Sequence, residues 1–84
     1  MKFPVHCCLS TKILGVDINV SEEDVEKVLS KRYIIELMDT RIGVVHIFLI
    51  DKRSEKILKM QQSTNEKEKI RMTVEQLVKE AVNA

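Results

Sequence analysis

The sequence predicts a small α+β domain, an antiparallel β-meander sheet flanked by two short helices over about 22–32 and 74–82. Three observations predict it. Apolar and polar residues alternate at period two in several short runs. One segment joins helix-capping chemistry to a 3.6-residue apolar stripe. Residues 42–50 form an almost unbroken apolar run of strand composition. At 84 residues, the whole chain 1–84 reads as one domain, near the size where a single core only just suffices.

The elements follow in order. Phe3 to Leu9 mixes apolar and small residues and fits an N-terminal strand. In Ile13 to Val20, Val16, Ile18 and Val20 alternate with Asp17 and Asn19, as in a strand with one wet face. Ser21 then caps a helix, with Glu22, Glu23 and Asp24 in its first turn and Lys31 and Arg32 at its end, matching the helix dipole. Val25, Val28 and Leu29 give it one apolar stripe. Tyr33 to Met38, Ile42 to Ile50 and Glu55 to Gln61 read as three consecutive strands joined by polar reversals, the last anchored by Ile57 and Leu58.

The C-terminal third supports two readings. Ser63 with Glu66 forms a capping box for a long helix whose face carries Ile70, Val74, Leu77, Val78, Ala81 and Val82. Alternatively, Ile70, Met72 and Val74 alternate as a short strand within 67–73, and Thr73 with Gln76 caps a helix 74–82. The second is preferred, because β-branched residues cluster at this point.

Ile42 to Ile50 is apolar on both strand faces. Ile42, Val44, Phe48 and Ile50 point one way with His46, and Val45, Ile47 and Leu49 point the other. Burying each such side chain stabilises by about 1.5–3 kcal/mol, so both faces call for a cover. Two short helices can split between the faces, or a second copy can supply one layer. Marginal size favours the second, which makes Val45, Ile47 and Leu49 candidate self-association residues and a homo-oligomer the expected state.

Composition excludes several classes. The net charge of +1 gives no whole-protein attraction to nucleic acid or anionic lipid, although residues 31–60 carry +3 and residues 1–30 carry −2. No apolar run approaches the ~18–20 residues of a membrane span, and Met1 to His6 does not resemble a secretory leader. The two cysteines, Cys7 and Cys8, are adjacent, a spacing that disfavours a mutual disulfide. A reducing, cytoplasmic setting is the expectation.

The chemistry-bearing residues are few. His6, Cys7, Cys8 and His46 could supply zinc ligands, but no spaced Cys or His pair exists, and packing roles are the simpler reading. Phosphate loops and serine-nucleophile motifs are missing, and nothing orients a catalytic cysteine. No catalytic residue, metal or cofactor is therefore assigned. Lys52, Arg53, Lys56 and Lys59 form a basic β-hairpin that could contact phosphates, with Asp51 and Glu55 interspersed. Met38, Met60 and Met72 read as core filler, and Phe48 as a core residue. The function expected is a non-enzymatic regulator or adaptor acting through contact with an unidentified protein. The alternative is a dimeric nucleic-acid-binding regulator that uses the hairpin.

Overall fold

In the computed structural model, which describes residues 1–83, the elements run β1 (Lys2–Cys7), β2 (Ile13–Asp17), α1 (Glu22–Ser30), β3 (Tyr33–Asp39), β4 (Val44–Asp51), β5 (Lys56–Thr64) and α2 (Lys67–Val82). The strands form one sheet in the order β2-β1-β3-β4-β5. The α+β class is as expected, but the sheet is mixed rather than a purely antiparallel meander. Strands β3, β4 and β5 do pair antiparallel in sequence order, and so do β1 and β2. The exception is β1 with β3, which run parallel with Val5 beside Ile35 and Cys7 beside Leu37. Helix α1 lies between β2 and β3, so the chain crosses over the sheet and re-enters next to β1 in the same direction. A local alternation pattern carries no information about that crossover.

Helix α1 starts as its sequence indicates. Ser21 Oγ accepts the Asp24 backbone N–H at 3.3 Å, and three acidic residues occupy the first turn. It ends two residues before the expected boundary, at Ser30, because Arg32 takes a left-handed φ of 60° and turns the chain into β3. β2 is also shorter than expected. After Asp17 the chain leaves the ladder, and Ile18 turns into the core, held by the Met1 carbonyl and the N-terminal ammonium.

The short-strand reading of 67–73 is overturned: this segment is the first half of α2. Thr73 does not cap a helix. Its hydroxyl donates to the Lys69 carbonyl one turn back, and the Arg71 guanidinium bridges Glu68 and Glu75 at helical spacing. The Ser63 capping box does not form either, since Ser63 pairs with Val45 inside β5 and α2 begins at Lys67, with Glu66 as its N-cap. Ile70, Val74, Leu77, Val78 and Ala81 form a stripe at helical period, which leaves Met72 outside.

Both helices cover the same face of the sheet. The core joins Phe3 and Val5 of β1, Ile35 and Leu37 of β3, and Val45, Ile47 and Leu49 of β4 to Val25 and Val28 of α1 and Val74, Leu77, Val78 and Ala81 of α2. The far ends of the helices are tied together. Lys31 Nζ donates to the Ala81 and Val82 carbonyls at 3.2 and 3.4 Å, placing a cation at the negative end of α2.

Candidate functional site

The two helices leave the opposite face of the sheet uncovered among the described residues. Register places its side chains in rows. Ile34 stands beside Ile50, Glu36 beside Phe48, and Met38 beside His46. Next to them on β5 come Ile57, Met60 and Gln62, and on β1 His6 lies beside Glu36. Ile34, Met38, Val44, Phe48 and Ile50 are only half buried, and Ile57 and Met60 are exposed. Phe48 is thus an open-face residue and not a core residue. Met60 and Met72 are exposed rather than core filler, and the expected β5 anchors Ile57 and Leu58 are exposed as well.

The residues expected to mediate self-association occupy the other face. Val45, Ile47 and Leu49 are buried beneath the chain's own helices, so their cover is intramolecular. The face in need of a cover is the one that carries Val44, His46, Phe48 and Ile50. The reason is the connectivity: α1, between β2 and β3, and α2, after β5, both pack on the same side of the sheet.

Polar groups punctuate the open face. The His46 ring lies 6.3 Å from the Phe48 ring, and its Nδ1 is shielded from solvent with no hydrogen-bond partner. A histidine satisfied within the core was the simpler expectation. The ring instead sits on a half-buried face, with its Nδ1 turned away from solvent and unpartnered.

The thiols are not buried packing groups, as the sequence suggested: Cys7 is half buried and Cys8 is exposed at the end of β1. Cys8 Sγ donates to Glu36 Oε2 at 3.2 Å. Local desolvation first, then the Glu36 carboxylate and Cys7, push the Cys8 thiol from 9.0 up to about 11. An activated nucleophile needs the opposite shift. His6 and His46 are separated by β3, and no group of three metal-ligating side chains converges among the described residues.

The basic hairpin is split by the fold. Lys59 points to the helix side, where its Nζ meets Glu80 Oε1 at 2.9 Å and holds that carboxyl below its usual range. Lys52 and Arg53 lie in the β4–β5 turn with Asp51 beside Arg53, and Lys56 opens β5. The Lys52 N–H donates to the Arg32 carbonyl, which brings Arg32 to the same end of the sheet. Arg41 sits in the β3–β4 turn instead. No helix among the described residues is long and apolar enough to cross a membrane. Comparison with known protein families, curated proteins and solved structures finds no match to this chain.

Proposed function

We propose that this chain is a small non-enzymatic interaction module, regulatory or adaptor in role, that self-associates and docks a partner protein on its open sheet face. One observation carries the reading: both helices cover one face of the sheet, and the other keeps an apolar surface around Phe48. Contiguous apolar surface of this kind marks interaction sites on small proteins. The half-buried Glu36 carboxylate within it gives a partner's donors something to meet.

The test is a pull-down from the native host with the wild-type chain and Phe48→Asp, followed by reconstitution with the purified captured protein. Wild type binds and the variant, still folded by circular dichroism, loses binding. Equal capture by both overturns the open face as the docking site.

The hairpin reading keeps one supporting observation, the gathering of Arg32, Lys52 and Arg53 at one end of the sheet. In that case a mobility shift appears at low salt and falls steeply as salt rises, since released counterions drive phosphate binding.

A further inference from the structure

We infer that the cavity between the edge strand β2 and the first half of α2 binds a small amphipathic carboxylate, an apolar molecule carrying one acid group. The inference is independent of the docking face proposed above, which lies on the opposite side of the sheet. Leu14 and Val16 stand beside Val5 and Phe3 in the β1–β2 ladder, so they share the helix side of the sheet with the core. Across from them, Ile70 opens the apolar stripe of α2. The space between strand and helix is about 550 Å³. That volume suits a small organic ligand.

The cavity continues the core to the surface. Val16 and Ile70 are half buried and pack against the core, and Leu14 is 43% exposed at the mouth. An apolar body laid against these side chains leaves water on that side, and they leave water with it. That exchange is the usual driving force for binding in such clefts.

The rim charges select the head group. Lys2 Nζ lies 3.6 Å from Asp17 Oδ2, and the Arg71 guanidinium is shared by Glu68 and Glu75. Those charges answer one another within the chain. Lys67 is the exception: it lines the same cavity, and its ammonium has no ion pair or hydrogen bond among the described residues. It also stands in the first turn of α2, where a cation faces the positive end of the helix dipole. One unanswered positive charge beside an apolar floor matches one negative charge on an apolar body. A dianion such as a phosphate monoester would carry its second charge into a cavity that Asp17 and Glu68 also line, and an ammonium would meet Lys67.

The test titrates the full chain, isotope-labelled for amide NMR, with octanoate and with octylammonium, which have closely matched apolar chains and opposite head charges. The amide signals of Leu14 to Asp17 and of Lys67 to Arg71 move saturably with octanoate. Its affinity exceeds that of octylammonium by about three- to tenfold, the effect of one partly exposed ion pair. Acetate, the head group without the chain, does not saturate. Lys67→Glu reverses the preference between the two probes, and Leu14→Asp, which puts an anion on the cavity floor, weakens octanoate more than octylammonium. Equal affinities in the wild type, an unchanged preference in Lys67→Glu, or octanoate shifts centred on Phe48 and Met60 overturn the site. So does the lack of a saturable shift at ~5 mM octanoate.

Discussion

On the helix side of β4, Val45, Ile47 and Leu49 lie within the core, whereas on the other side Val44, Phe48 and Ile50 are left half buried around His46. One strand supplies both sets, and they are similar in chemistry. What separates them is that α1 and α2 return along the same side of the sheet. An apolar residue in this chain therefore reports stability on one face and availability on the other.

The largest expected effect breaks that symmetry directly. Ile47→Ala empties a fully buried site and costs about 3 kcal/mol, whereas Phe48→Ala, although it removes a larger side chain, costs about 1 kcal/mol. Urea denaturation of both variants checks this, and similar losses would mean that the open face is covered in the protein under study.

The Cys8–Glu36 contact at the margin of the open face gives the next effect. With its pKa at about 11 against an ordinary 9.0, the folded Cys8 thiol holds about a hundredfold less thiolate at pH 8 than a free thiol. Alkylation by iodoacetamide, followed by mass spectrometry, is slow at pH 8 and accelerates until the pH passes about 11. Glu36→Gln removes the carboxylate that opposes ionisation and speeds the reaction at pH 8. An unchanged rate in that variant would mean the contact does not form.

The smallest effect concerns the hinge that sends the chain from α1 into β3 and so keeps the helix on its side of the sheet. Arg32 holds φ at 60°, where a side chain is strained and glycine is not. Arg32→Gly raises stability by about 0.5–1 kcal/mol in thermal or denaturant melts. A loss instead would show that the arginine side chain holds the turn.

Much of the fold was legible residue by residue. The Ser21 cap and the acidic first turn of α1 depend on neighbours within a few positions and formed where local chemistry put them; the two-faced run formed too, but only from Val44 to Asp51, with Ile42 left exposed in the turn before it. Residues 67–73 were not legible in the same way. Ile70, Met72 and Val74 satisfy a strand period, and only the stripe continuing through Leu77 and Ala81, with Arg71 spanning Glu68 and Glu75, decides for a helix. The candidate site was half legible: the sequence showed that a face of β4 would want a cover from outside, but assigned it to Val45, Ile47 and Leu49, the face that α1 and α2 bury.

The sequence by itself determined α1, the strands up to β5 in outline and the apolar strand at the centre, because those follow from spacing along the chain. Tertiary structure alone decided the parallel join of β1 and β3, the placing of both helices on one face, the capture of Lys59 by Glu80 and the bare edge of β5. These depend on which side of the sheet each helix takes and which strand the chain joins next, and periodicity has no term for that.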